Sequence, residues 1–467
     1  WTLRIRSMRI LQRKLFTVFQ RCVHNEIIVI SGATATGKSD VAMKLGEVRD
    51  IEIVVADSVQ ICKYLQLGSN KPTDEERRRI PHHLVDIHNP GEIFSAGDYI
   101  SAIKPVLADI IHRNKTPVIV GGNTMWIEWL IHGIPDAPKS NIKAKHDAAA
   151  MLQEYKLRDD WDGALGVVSA LTPIQSSMTT NDWYRLHRQL EIYLTVKNSD
   201  EAFQASPRLE PVLQQCLREA GGGHIRCFFI AQERLELYRA IDTRCEEMIR
   251  AGLIEETCDL LKQGHIHMLP SRSSGTTGIC PTASAAIGYR QTVNYLCRSD
   301  YCNGDSESFL KYLSEFSTAT RNYAKRQLHW YRLQDQFLWL HSKCGTPTRS
   351  HDKIDQLVKE IIHWVTVPFA EYVHTREQQY KNSKVFAEEM NVRGGRRKKV
   401  EICDCSGPLS GLEYKLRGCE GTLDASKLRM YSSKVNANMK EVVCRADNSR
   451  RELESFCHGN FDVYMIK

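Results

Sequence analysis

No run of apolar residues in this 467-residue chain approaches the roughly 18–20 needed to cross a bilayer as a helix, so membrane insertion is not expected. Paired cysteine spacings are missing as well. The fifteen cysteines are scattered without a repeated interval, and an odd number in a long chain fits reduced thiols better than a disulfide framework. Acid is missing from the start, where Glu26 is the first carboxylate. Before it, Arg4, Arg6, Arg9, Arg13, Lys14 and Arg21 are interleaved with Leu3, Ile5, Ile10, Leu11, Leu15, Phe16 and Phe19. Residues 1–25 therefore read either as a mitochondrial presequence or as an exposed basic arm, which points to a mitochondrial location, a cytoplasmic one, or both.

The rest of the composition is that of a globular protein, 42% hydrophobic and 25% charged. The length exceeds one compact core and implies two or three domains. A formal charge of +7 favours an anionic partner, although only as an average over the chain.

The most specific signal is Gly32-Ala33-Thr34-Ala35-Thr36-Gly37-Lys38-Ser39, which fits Gly-x-x-x-x-Gly-Lys-Ser. Ile27-Ile28-Val29-Ile30 before it reads as a buried strand, and Asp40-Val41-Ala42-Met43-Lys44-Leu45 after it as the start of a helix. Strand, glycine loop and helix together make a phosphate cradle: backbone N–H groups turn toward an anion, the helix N-terminus adds partial positive charge, and Lys38 adds a full one. The Ser39 hydroxyl is placed to hold a Mg²⁺ shared with the phosphates.

Ile51-Glu52-Ile53-Val54-Val55-Ala56, ending at Asp57, and Pro117-Val118-Ile119-Val120, ending at Gly121-Gly122, are further strand candidates separated by helical stretches. The fold class expected is α/β, a P-loop-type doubly wound parallel sheet with a helical insertion domain. In such sheets ligands bind at the carboxyl ends of strands, which brings the glycine loop, Asp57 to Gln60 and Gly121 to Thr124 together. The insertion is expected at 139–224, between core segments 26–138 and 225–340. In the core, 232–263 and Glu307 to Leu333 read as helices and Arg226 to Ile230 as a returning strand. In the last of these helices Phe309, Leu313 and Phe316 mark a core face, while Arg321, Lys325 and Arg332 form a basic stripe at 3.6 residues per turn. Residues 341–467 form a C-terminal extension of unknown function. Its basic run Arg393 to Lys399 reads first as a solvated linker and, as the lesser reading, as an RNA contact or a nuclear-targeting run. Cys403, Cys405, Cys419, Cys444, Cys457 and His458 lack the spacing of a zinc finger.

From Asp57-Ser58-Val59-Gln60 onward the chain closely resembles the tRNA dimethylallyltransferases. The resemblance runs through Leu67 to Pro72, Pro81-His82-His83, Phe94 to Tyr99 and Val120-Gly121-Gly122, covering about residues 26–335. Asn181 to Arg188, Ile241-Asp242-Thr243-Arg244 with Glu256, Ile287 to Gln291 and Thr320 to Gln327 continue it in order. It implies transfer of a dimethylallyl group from dimethylallyl diphosphate to N6 of the adenosine 3′-adjacent to the anticodon in tRNA. It further implies that Asp57 is the general base and that Arg244, Lys38, Ser39 with Mg²⁺ and the loop residues Gly32, Thr34, Ala35, Thr36 and Gly37 hold the diphosphate. Contacts to the tRNA anticodon arm are implied at Asp57, Ser58, Gln60 and Asn123, which stands where the family has Thr. The implied set continues with Tyr184, Arg185 and Arg188 in the insertion, and Gly288, Tyr289, Arg290, Arg321 and Lys325 in the core, the chain working as a monomer. A nucleotide kinase shares the glycine loop, and an adenylate isopentenyltransferase shares the loop and Asp57. The latter does not need the segments at 184–188 and 320–327.

Overall fold

The computed structural model describes residues 26–92, 94–135, 142–173, 178, 180–197, 209–269, 282–297, 306–341 and 350–392, together with Ser449. The basic N-terminal segment, the basic run at 393–399 and the cysteines from Cys403 onward lie outside these residues. Six described cysteines, among them Cys62, Cys227 and Cys245, are free thiols.

Three apolar runs form the middle of one parallel sheet: β1 (Glu26–Gly32), β2 (Ile51–Ala56) and β4 (Thr116–Gly121), each buried along its whole length. Burial on both faces is why they read as continuous β-branched runs rather than alternating ones. The two-residue β3 (His82–His83), β5 (His224–Ala231) and β6 (Phe337–His341) complete the order β3-β2-β4-β1-β5-β6, with every pairing parallel. Strand β6 was not anticipated. A five-residue edge strand carries too short a pattern to stand out from its flanks.

In the larger unit α1 (Lys38–Gly46), α2 (Asp74–Arg79) and α3 (Ala96–His112) come first, followed by α4 (Thr124–His132), whose residues from Trp129 onward belong to the smaller unit. Ser95 and Asp98 close a reciprocal capping box at the start of α3, as Thr73 and Glu76 do for α2, satisfying backbone donors that the first turn leaves open. Residues 129–212 belong to a separate, smaller unit. There α5 (Ile142–Leu157), α6 (Trp161–Leu171) and α7 (Trp183–Lys197) share a core of Ala148, Leu152, Trp161, Ala164, Val168, Leu186 and Leu190. Trp161 and Trp183 meet edge to face with ring centroids 5.2 Å apart.

The larger unit resumes with α8 (Val212–Glu219), α9 (Arg234–Arg250), α10 (Leu253–Lys262), α11 (Thr282–Ala285), α12 (Tyr289–Cys297) and the long α13 (Ser306–Tyr331). Phe309, Leu313 and Phe316 are buried, as the periodicity of α13 predicts. The first part of the C-terminal extension belongs to the core. Helix α14 (Ser350–Thr366) and α15 (Phe369–Val392) place Leu357, Val358, Ile361, Val365 and Tyr372 in the same apolar cluster as Ile28, Ile53 and Phe228. The Arg226 guanidinium, buried beside Glu26, donates to the carbonyls of Trp364 and Val367, and Tyr372 bonds both the N–H and the carbonyl of Cys227. Gln379 does the same to Trp339 on edge strand β6, shielding backbone groups that a further strand would otherwise pair.

Candidate active site

The carboxyl ends of β1, β2 and β4 carry the glycine loop, Asp57 and Gly121-Gly122, as the sheet topology requires. A Cβ on Gly32 would sit 2.7 Å from Thr36 Oγ1 and 2.8 Å from the Ile230 carbonyl oxygen, so only glycine fits at the end of β1. Ala35 (φ 66°) and Gly37 (φ 79°) adopt left-handed backbone, strained for the alanine and free for the glycine, which turns the loop back on itself before α1 begins. Thr36 Oγ1 donates to the Ala33 carbonyl at 2.9 Å, closing the loop internally. Ser39 is exposed in the first turn of α1.

Lys38 Nζ donates to the carbonyls of Gly32 (3.0 Å) and Ala33 (2.7 Å). Removal from water and then the nearby Arg244 guanidinium push its pKa down to about 7, with Asp57 partly offsetting them. Burial also lowers Arg244, and Asp57 and Asp40 raise it, so an arginine on α9 belongs electrostatically to the site formed by β1 and β2. Asp57 Oδ1 accepts the backbone N–H of Val59 at 2.8 Å, which aims the carboxylate from a turn at the end of β2. Lys38, Ser39, Asp57 and Gln60 line one cavity together with Val55, Val120 and Gly121. Gln60 Nε2 donates to the carbonyls of Ser69 and Asn70 at 3.1 and 3.0 Å, closing the segment it starts, and Ser58 lies half-buried beside it. Asn123 Oδ1 accepts the Trp126 N–H at 3.3 Å and so caps α4.

Several residues expected at the RNA serve the protein itself. Tyr289 is fully buried and Gly288 (φ 96°) packs on Phe316, so their segment holds the fold from inside; Arg290 next to them is exposed. Arg321 faces inward: its guanidinium grips buried Asp242 from Nε (2.9 Å) and Nη2 (2.5 Å). A basic stripe cannot reveal this, because the partner carboxylate sits on a different helix. Lys325 and Arg332 of the same stripe are exposed. In the smaller unit Tyr184 is 72% exposed, Arg185 pairs with Asp182 on the surface, and Arg188 donates to buried Glu191.

One stripe facing the site was not among the expected site residues. Tyr323, Gln327 and Tyr331 recur at i, i+4 and i+8 on α13, and all three turn toward the site. Gln327 is hydrogen-bonded to Thr34 and Gly122, Tyr323 to Gly122, and Tyr331 to Ser31. The spacing was visible in the sequence, although its target was not.

A parallel α/β sheet that gathers a glycine loop, a half-buried lysine, an arginine and a carboxylate at its carboxyl edge has the arrangement of an enzyme site. The family model described as IPP transferase matches residues 60–334, and the chain belongs to that family. It is 33% identical over 424 residues to tRNA dimethylallyltransferase 9 of Arabidopsis thaliana, covering 85% of this chain and 87% of that protein. It is also 34% identical over 315 residues to tRNA dimethylallyltransferase 1 of Citrifermentans bemidjiense, covering 68% and 92%. A solved eukaryotic dimethylallyltransferase acting on tRNA shares the fold, with a TM-score of 0.53 and 20% identity over 91% of this chain and 99% of that one.

Proposed function

We propose that the protein transfers the dimethylallyl group of dimethylallyl diphosphate to N6 of the adenosine 3′-adjacent to the anticodon in tRNA. The observation that carries this is the convergence of Lys38, Arg244 and Asp57, two cations and one carboxylate, at a glycine loop in a family whose relatives are tRNA dimethylallyltransferases. N6 attacks the allylic carbon, the bond from that carbon to the diphosphate oxygen breaks, and the N6 proton passes to the Asp57 carboxylate. The leaving diphosphate gains charge at Lys38, Arg244 and the loop amides, which are fixed before the reaction begins. The Ser39 hydroxyl, with Asp40 and Asp57 near the same loop, suits a hard cation that takes its other ligands from water and phosphate, which fits Mg²⁺.

The target base stacks within an anticodon loop and must be turned out to reach a carboxylate at a strand end. Tyr184 in the smaller unit, and Lys325 and Arg290 in the larger one, are exposed groups of the kind that meet RNA bases and phosphates. The decisive experiment supplies labelled dimethylallyl diphosphate with an adenosine-bearing anticodon stem-loop and with AMP as a rival acceptor. Label in the stem-loop supports the reading. Preferential label in AMP replaces it with adenylate prenylation, and ATP consumption without prenyl transfer replaces it with a kinase.

A further inference from the structure

We propose that Gln327 is a positioning residue that holds the glycine loop in the form that receives the donor's diphosphate, a role that rests on the function proposed above. Its side chain is 2% exposed. Oε1 accepts the Thr34 N–H at 2.9 Å, and Nε2 donates to the Gly122 carbonyl at 2.8 Å. One carboxamide thus joins the loop after β1 to the turn after β4, across 293 and 205 residues of chain. The Thr34 amide is therefore committed to Gln327 rather than aimed at the anion, and the loop's remaining amides are turned by that fixed point.

The demand on position 327 is narrow. It needs an acceptor facing an N–H and a donor facing a carbonyl, at the reach of glutamine from α13. Glutamate offers no donor to Gly122, and methionine has the length but neither group. Gly122 is shaped by the same side chain, because a Cβ there would come within 2.3 Å of Nε2. Tyr323, one turn earlier, has its hydroxyl 3.5 Å from the same carbonyl, and Tyr331, one turn later, is hydrogen-bonded to Ser31, whose Oγ donates to Gly121 at 2.7 Å. Helix α13 thereby locks β1, the loop and the end of β4 as one block. The loop has left-handed backbone at Ala35, a form that a non-glycine residue keeps only where surroundings hold it. An anion cradle fixed in advance needs no reorganisation when the ligand arrives.

The test titrates inorganic pyrophosphate, in the presence of Mg²⁺, into the full chain and into Gln327→Met, Gln327→Glu and Gly122→Ala by calorimetry, alongside steady-state kinetics. Gln327→Met is expected to weaken pyrophosphate about tenfold, the weight of one buried hydrogen bond, at unchanged stoichiometry. KM for dimethylallyl diphosphate should rise in parallel, with KM for the stem-loop changing less than about twofold. Gln327→Glu should lose more, because its carboxylate faces the Gly122 carbonyl and adds negative charge beside the anion. Gly122→Ala displaces the carboxamide from the opposite side and should reproduce the donor defect, which keeps the test open if substitution at 327 prevents folding. Folded variants that bind pyrophosphate within about twofold of the parent, or that lose only stoichiometry, overturn the positioning role. A parent chain that does not bind pyrophosphate overturns the donor reading beneath it instead.

Discussion

The Tyr289 hydroxyl donates to Glu256 Oε1 at 2.5 Å, and the same carboxylate accepts the backbone N–H groups of Gln66 and Leu67. The phenol oxygen in turn accepts the Gly68 N–H at 3.1 Å. Two residues from α10 and α12 thus fasten the segment that begins with Asp57 and Gln60. A Cβ on Gly68 would come within 2.5 Å of the Tyr289 ring, so this close approach also explains that glycine. Burial, and then the adjacent carboxylate, raise the Tyr289 pKa far above the ordinary phenol range and keep the donor proton in place.

Tyr289→Phe removes the donor to Glu256 and leaves the Gly68 N–H without its acceptor. Its cost is expected at about 1–3 kcal/mol in a denaturant titration. Turnover should fall as the Asp57 segment loosens. A variant as stable as the parent would show that Glu256 alone holds the loop.

Asp57→Asn keeps an oxygen for the Val59 N–H but loses the base. Single-turnover prenylation should slow by about 10²–10⁴, with pyrophosphate and stem-loop affinities little changed. Near-parental turnover would remove Asp57 from the proton-transfer role.

Lys38 is lowered from an ordinary value of 10.5 to about 7 in the folded chain. Between those values the unfolded chain holds more protons, so stability rises with pH across that window and Lys38 is most costly below it. A bound diphosphate supplies the missing counter-charge and draws the proton back. Calorimetry at pH 8–9 in buffers of different ionisation enthalpy should therefore show proton uptake on pyrophosphate binding. Lys38→Met should lack that part of the uptake, and equal uptake in both chains would contradict the assignment.

Arg321 and Lys325 lie one helical turn apart and should behave differently. Arg321→Ala leaves Asp242 buried without its bidentate partner and should cost roughly 3–5 kcal/mol of stability. Lys325→Ala should leave stability unchanged and flatten the salt dependence of stem-loop affinity by about one unit if the ammonium meets a phosphate. A flattened slope in a stable Arg321→Ala protein would show that the arginine leaves Asp242 to bind RNA.

The sequence by itself determined the strand, glycine loop and helix at 27–45, the two following strands and the buried face of α13. Each of these is a local pattern: backbone preference and apolar period act between residues a few positions apart, and a β-branched run buried on both faces needs no distant partner to be read. The apolar period of α14, at Ile354, Leu357, Val358, Ile361 and Val365, is equally local. Tertiary structure alone decided what the polar side chains do. Arginine can serve a phosphate or a carboxylate, and packing of α9 against α13 committed Arg321 to Asp242 across 79 residues. The same kind of packing turned Tyr289 inward to Glu256 and set Gln327 between Thr34 and Gly122. A side chain's chemistry states which partners it accepts, and only the folded chain brings one of them within hydrogen-bonding distance.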